Sequence, residues 1–581
     1  MNFDFLRRKE WVWLVVLAVF FVILRLPAVH HPYHQDEYKW PMYANPAISA
    51  PGAVVHPPLA ELVYRELGPA VGYDNFRFIP FAFGLINLFL IFYLSKLIFN
   101  SSKIAFWTAF LFAVSFYSIL ASLMVDVDGA VMPAFFLIMS IGYFQLRKTN
   151  FQFSPKRSKL ATGQAIFNFQ NWIWMILFIV GAVGGFLVKV SGILPLVAFA
   201  LDFAIIRGFF ADRKRFIKFI ELGILLATAA IIVLLLAKLI FPFFPLEKSI
   251  DYWEHFWNSS GFLNRGWLQT FVQFAKSVLY TSPLLFLPVF FVDKDIWQKL
   301  RPFFFFIFIG LFFYLFAFDF SIGALDRYFQ FLIIPLCIIS GAVFAKLVGK
   351  KEKISKKEII SISAVSFLIF FIQFLNHFTP PLYPKTEWIG RIISLKWNFL
   401  FPFMGGSGPI PFYVSFGFMA LIWVYSFALV IPSFIKNNFK RQALIGILVL
   451  GLLYNGVFAE EYLFGRINGS ASKLVYNAVE FIKNNDDIKS IRVYNDNGGF
   501  NIMETGKYEK RLYLDPKFGL NQKVASLSAE KGYFLVVDIP HIDSSTVFAK
   551  YFASCETIYN QKSGKIETFI YDCKNAPEIK L

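Results

Sequence analysis

Long apolar runs separated by short polar links fill the chain from Trp11 to Ala459. A helix needs roughly 20 apolar residues to cross the hydrocarbon core, and by that measure about thirteen runs qualify. They cover residues 11–29, 79–99, 104–124, 130–146, 171–188, 191–207, 219–241, 273–292, 302–320, 328–345, 358–376, 411–432 and 442–459. Beyond residue 460 the pattern changes. A helical run, Lys473–Lys483, precedes a strand-like run, Ser490–Tyr494. A strand at Tyr533–Asp538, a helix at Thr546–Phe552 and short strands near Thr557–Tyr559 and Ile566–Tyr571 follow. The expected fold class is a polytopic all-α membrane protein with a small C-terminal α/β domain outside the membrane. The boundary is placed between a membrane domain, 1–459, and an outer domain, 460–581.

Three links are long: 30–78, 242–272 and 377–410. They are rich in aromatic, proline and apolar residues, as in Asp251-Tyr252-Trp253-Glu254-His255-Phe256-Trp257. Such segments are too apolar for flexible linkers and are expected to form helices lying on the membrane surface.

Composition supports this reading and sharpens the topology. At 57% hydrophobic residues, the chain lies outside the range of soluble globular proteins. From Glu460 onward 16 Lys+Arg balance 16 Asp+Glu, so the net charge of +18 belongs to the membrane part. There it is distributed asymmetrically, with 27 Lys+Arg in the links and span ends on the N-terminal side against 10 on the other. The positive-inside rule then puts the N-terminus in the cytoplasm. An odd number of spans puts the C-terminal domain outside the cytoplasmic membrane. The first run follows Arg7-Arg8-Lys9 like a signal peptide, but no small-residue cleavage site follows it, and it is read as a retained first span. No basic stripe with interleaved aromatics is present, which argues against nucleic-acid binding. Cys337 lies in an apolar run; for Cys555 and Cys573 in the outer domain, a disulfide and two free thiols are both open. Gly498-Gly499 follows Asp496 and a strand, but no G-x-G-x-x-G is present to bind a nucleotide.

The candidate chemistry sits on the outer side, beginning with His34-Gln35-Asp36-Glu37-Tyr38 in the first outer link and Asp126-Val127-Asp128-Gly129 in a short one. All seven histidines, at 30, 31, 34, 56, 255, 377 and 541, fall on that side or at its edge. No P-loop is present, and the outer face lacks ATP and nucleotide sugars. A group-transfer enzyme working there needs a donor delivered through the membrane, such as a polyprenyl-phosphate sugar. It also needs a carboxylate to take the acceptor proton and cations to hold the phosphate leaving group. Asp36 and Glu37 suit the first task; equally, they suit an acid pair at a helix N-terminus. Asp126 and Asp128 suit a divalent cation or acceptor positioning, or simple helix capping. Lys189, between two apolar stretches, is a phosphate ligand by its expense in that setting, or a side chain snorkelling to the interface. Lys39 and Arg327 are further cationic candidates, Arg327 also suiting an interfacial anchor. His30, His31, His34 and His56 match no zinc spacing. His56 begins His56-Pro57-Pro58-Leu59, where the prolines fix the backbone.

Taken in order, Asp36-Glu37 after the first span, His56-Pro57-Pro58-Leu59, Asp126–Phe136, the Lys189 turn and Arg327-Tyr328 before Pro335 resemble the GT-C glycosyltransferases. The likeness is to the protein O-mannosyltransferase and aminoarabinose transferase group, over about residues 10–345. The resemblance implies a polyprenyl-phosphate sugar donor, either dolichyl or undecaprenyl, and inversion at the anomeric carbon. It implies Asp36 as the base, and Lys189 with Lys39 and His56 as contacts to the donor phosphate. The family's second acid matches Asp128 better than Asp126. The aminoarabinose transferases carry Lys-Pro-Pro where this chain has His56-Pro57-Pro58, and a histidine need not carry that charge. Beyond about residue 350 no likeness is found, and the acceptor, whether protein, lipid or glycan, is expected to be chosen there. A transporter or lipid flippase would instead place charges in the middles of helices and repeat its two halves. A non-catalytic scaffold would not need Asp36, Asp128 and Lys189.

Overall fold

The computed structural model describes residues 8–47, 49, 51–52, 54–149, 169–259, 266–317, 325–347, 356–375, 378–380, 385–404, 410–435, 439–494, 497–512, 531–544 and 547–576. His377, Asp496 and Thr546 lie outside these residues. Among the described residues ten helices are long and apolar enough to cross a membrane, and Ser102–Val114, Val190–Ile206 and Ile360–Leu375 are shorter apolar helices. Each of the runs read from the sequence falls on one of them. The protein is a multi-pass membrane protein.

The chain divides into two units, one of Met1–Arg25 with Trp40–Lys351 and the other of Leu26–Lys39 with Glu352–Leu581.

In the first unit, side-chain caps start several helices. Phe78–Phe99 ends at Asn100 in the left-handed region, and Ser101 then caps Ser102–Val114 by accepting from the Ile104 amide. Asp212 and Asp293 do the same for Arg213–Ile240 and Lys294–Phe312. Met132–Lys148 and Phe169–Val188 make the most extensive helix pair. Small residues allow that approach, since a Cβ on Gly181 would lie 2.3 Å from the Met139 amide nitrogen. Phe329–Lys346 is almost wholly enclosed, whereas Arg213–Ile240 carries an apolar surface with little covering it, as expected of a helix facing lipid.

The run 104–124 is one span in the sequence but two helices in the structure. Ser102–Val114 and Phe116–Ala121 are separated by Ser115 in an extended conformation. Carbonyls freed by such a break need partners inside the protein. Buried Arg25 supplies them, donating to the Ala113 carbonyl at 3.0 Å and the Phe112 carbonyl at 3.5 Å, and to Ser122 Oγ at 2.6 Å.

In the second unit the run 411–432 starts as a strand. The β-formers Phe412–Ser415 (β2) pair antiparallel with Leu400–Phe403 (β1), and the helix begins only at Phe416. The C-terminal domain is an α/β sheet of order β4-β3-β5-β7-β6, made of Ile491–Tyr494 (β3), Tyr508–Leu512 (β4), Tyr533–Val537 (β5), Glu556–Ser563 (β6) and Ile566–Asp572 (β7). β4, β3 and β5 run parallel; β7 and β6 are antiparallel. β5 is buried on both faces. Tyr533, Leu535 and Val537 meet Leu474, Val475 and Ile482 of helix Ala471–Asn484, while Phe534 and Val536 meet Tyr551 and Phe552 of Val547–Ala553. β4 and helix Gly499–Glu504 were not expected from the sequence; β4 is an edge strand whose Glu-Lys-Arg centre is exposed and carries no buried alternation to read. A disulfide joins Cys555 to Cys573, closing the β6–β7 hairpin at its ends.

The three long links contain the helices Pro58–Val71, Leu246–Ser259 and Lys385–Ile393. Lys238, in the last turn of Arg213–Ile240, donates to the carbonyls of Phe244 at 2.7 Å and Pro242 at 3.2 Å, and so closes its own helix end.

Candidate active site

Breaks in helical backbone build a charged centre in the first unit. Val127–Val131 is a π-turn leading into Met132–Lys148, and Asp126 caps it in an extended conformation, accepting from the Val127 amide at 2.5 Å. Lys189 is also extended, between Phe169–Val188 and a short 3-10 turn, Val190–Ile193. The turn folds back tightly, and a Cβ on Gly192 would lie 2.3 Å from the Gly185 carbonyl oxygen. Arg327 lies in another short helical turn, Leu325–Tyr328.

These breaks bring together four of the residues singled out in the sequence. Lys189 Nζ lies 2.7 Å from each carboxylate oxygen of Asp128. Arg327 pairs with Asp126, and its Nε is 3.8 Å from Asp128. Both aspartates and Lys189 are buried. The charges of the two carboxylates and two cations sum to zero, as burial requires. Tyr328 packs under both cations, its ring 4.4 Å from Lys189 Nζ and 5.0 Å from the Arg327 guanidinium, and its ring stacks on buried Tyr314. The Tyr64 hydroxyl donates to the Asp126 carbonyl at 2.9 Å.

His56 belongs to the same neighbourhood. Its ring stacks on Trp40 at 6.3 Å, and Trp40 packs on Tyr64. Burial and the Lys189 charge push its pKa down to about 3, so the ring is neutral. As a metal centre the donor set is poor, because each aspartate already holds an organic cation. No group of three or more His, Cys, Asp and Glu gathers among the described residues.

The Asp36 loop lies in the second unit. Gln35–Tyr38 is a 3-10 turn. Glu37, buried, accepts from the His34 amide at 3.0 Å and closes a capping box. Asp36 stays partly exposed and pairs with Lys39.

The sequence reading missed Arg25, Arg77, Tyr64, Trp40 and Tyr314, and took Tyr328 only as part of the Arg327-Tyr328 motif. Arg77, also buried, donates to the Leu123 carbonyl at 2.8 Å, just before the Asp126 turn. A signal existed for the two arginines, since each stands at the end of an apolar run, where an uncompensated charge calls for a partner. The aromatic residues had none in a chain so rich in them.

No family model and no curated protein matches the sequence. Solved structures do. ArnT from Cupriavidus metallidurans in the apo state superposes with a TM-score of 0.51 at 13% identity, over 97% of this chain and 98% of that one. ArnT from the same organism bound to undecaprenyl phosphate gives 0.50 at 13%, with the same coverage. The Archaeoglobus fulgidus oligosaccharyltransferase in the apo form gives 0.44 at 12%, over 97% of this chain and 74% of that one. At such identities the ArnT likeness is one of fold. Over nearly its whole length, this chain has the GT-C fold that its sequence motifs resemble.

Proposed function

We propose that this protein is an integral membrane glycosyltransferase that uses a polyprenyl-phosphate sugar as donor. The observation that carries the reading is the buried centre of Asp126, Asp128, Lys189 and Arg327, set in the fold of a protein whose solved structures include one bound to undecaprenyl phosphate. Lys189 has three N–H donors and uses two on Asp128, which leaves one for a phosphate oxygen. Arg327 adds a second cation. Neutral His56 supplies a hydrogen bond, not a charge, where the aminoarabinose transferases that the sequence resembles carry lysine.

In the proposed reaction the acceptor hydroxyl oxygen attacks the anomeric carbon as the bond from that carbon to the phosphate oxygen breaks. The hydroxyl proton passes to Asp36, and polyprenyl phosphate leaves with the electron pair, its charge met by Lys189 and Arg327. Attack opposite the leaving group inverts the anomeric carbon. Asp128 holds Lys189 in place. Lys39 is paired with Asp36, which suits it to tune the base more than to hold phosphate. The reading places the acceptor, whether protein, lipid or glycan, on the outer face of the cytoplasmic membrane. The charge asymmetry of the links and the Cys555–Cys573 disulfide in the outer domain support that side.

The test uses purified protein in nanodiscs with synthetic polyprenyl-phosphate sugars, following sugar release or transfer with and without EDTA. Wild type is expected to consume donor and Asp36→Asn to lose turnover. Full turnover in Asp36→Asn would remove the base assignment; failure of any donor to bind would remove the enzyme reading.

A further inference from the structure

We infer that the outer α/β domain holds the base in place, with Phe500 and Tyr476 as positioning residues for Asp36; this rests on the reading of Asp36 as base. The segment Leu26–Lys39 follows the first span in sequence, yet it groups with the C-terminal half of the chain. Three contacts, all within the second unit, account for that. The Tyr33 ring meets Phe500 edge-on at 5.1 Å, and these two side chains are 2% and 4% exposed. The Tyr476 hydroxyl donates to the His30 carbonyl at 2.9 Å. The His31 ring meets Tyr462 edge-on at 5.6 Å. The helix carrying Phe500, Gly499–Glu504, packs directly on the Gln35–Tyr38 turn that carries Asp36.

That helix is itself fixed by the domain. Gly498 precedes it with φ 80, and a Cβ there would lie 2.5 Å from Val475 of helix Ala471–Asn484. So a helix packed into the domain bears on the turn. Within the turn, buried His34 and Glu37 close the capping box, while Asp36 keeps 30% of its side chain exposed. Asp36 and its partner Lys39 belong to the same short stretch of chain, so the carboxylate is fixed in space only as far as the turn itself is. A base must be held within a fraction of an ångström of the reacting hydroxyl, and a misplacement of about 1 Å costs about 100-fold in rate. The capping box and the Lys39 ion pair act inside the turn; the two ring contacts and the Tyr476 hydrogen bond tie the turn to the domain. Anything that shifts the outer domain, including a bound acceptor, then acts on kcat through Asp36.

The experiment compares Phe500→Ala, Phe500→Tyr and Tyr476→Phe with wild type, each as the full chain in nanodiscs. Amide hydrogen exchange over Tyr33–Lys39 is read alongside kcat and donor KM. Tyr476→Phe keeps the ring and removes only the hydrogen bond, so it tests the contact without threatening the domain fold. Expected are faster exchange in the turn and a fall in kcat of about 10-fold to 100-fold for Phe500→Ala, with donor KM nearly unchanged and recovery in Phe500→Tyr. Tyr476→Phe is expected to move both readouts in the same direction and less. Unchanged exchange in the variants overturns the proposal. So does faster exchange with unchanged kcat when Asp36→Asn has lost turnover. Full turnover in Asp36→Asn overturns the base assignment itself; the exchange data then report separately whether the domain holds the loop.

Discussion

Lys189 reaches both oxygens of Asp128 at 2.7 Å, across the gap between two helix breaks that lie 61 residues apart in the chain. Neither residue tolerates that depth alone. Removing one partner of a buried pair strands a charge, which costs far more than the pair contributes. The pair therefore ties the Asp126–Val131 turn to the Lys189 turn and keeps a cation where an isolated one would be expelled.

This separates stability from activity. Asp128→Asn and Lys189→Met are each expected to lower stability by about 3–5 kcal/mol, read as a fall in melting temperature in detergent. The double variant Asp128→Leu with Lys189→Met removes both charges and is expected to recover most of that loss while turning over no donor. Recovery of turnover with stability would reduce the pair to a structural tie.

Arg25 is a test of a different kind, since it touches no candidate chemistry. It holds the break at Ser115 through five acceptors, counting Ser118 Oγ at 3.2 Å and its own helix's Phe21 carbonyl at 3.2 Å. Lysine keeps the charge but has no planar fork to reach them. Arg25→Lys is expected to cost about 3 kcal/mol through unmatched carbonyls, and Arg25→Met at least as much. Equal melting temperatures for wild type and Arg25→Lys would mean that the charge suffices without the fork.

The spans were legible because each is a continuous apolar stretch, and lipid leaves the backbone no alternative to the helix. The breaks were not. Ser115 interrupts a run with no proline or glycine beside it, and only Arg25, 90 residues earlier, explains the break. Asp126, Asp128, Lys189 and Arg327 could be picked out because charge is expensive among apolar neighbours. Their pairing could not, since spacing along a helical membrane chain says nothing of which links converge. The partners of the Asp36 loop were hidden for the same reason. Tyr462, Tyr476 and Phe500 lie more than 400 residues away, in a chain with 25 tyrosines and 76 phenylalanines.

The Cys555–Cys573 disulfide closes a loop of 18 residues at the ends of the β6–β7 hairpin. A loop of that size restrains the unfolded chain by about 3 kcal/mol. Reduction with dithiothreitol, or Cys555→Ala with Cys573→Ala, is expected to lower the stability of the outer domain by that order. Hydrogen exchange across β5, β6 and β7 would report it, while the membrane helices stay unaffected. Unchanged exchange in the reduced protein would mean that the sheet carries its own stability.

His56 gives a pH dependence whose sign can be worked out. Its pKa in the folded protein is pushed from 6.5 down to about 3, first by burial and then by the Lys189 charge. Below pH 6.5 the unfolded chain takes up a proton that the folded chain refuses. Stability is therefore full above about 6.5 and declines as the pH falls from there toward 3. His56→Gln keeps a hydrogen-bonding side chain without the titration, so the decline is expected to be shallower in this variant when both are followed by thermal unfolding from pH 7 to pH 4. At pH 6 to 8 the ring is neutral throughout. Donor affinity over that range is then expected to follow the same pH course in wild type and His56→Gln. A limb present in wild type and missing in the variant would mean that His56 is protonated when it meets the phosphate.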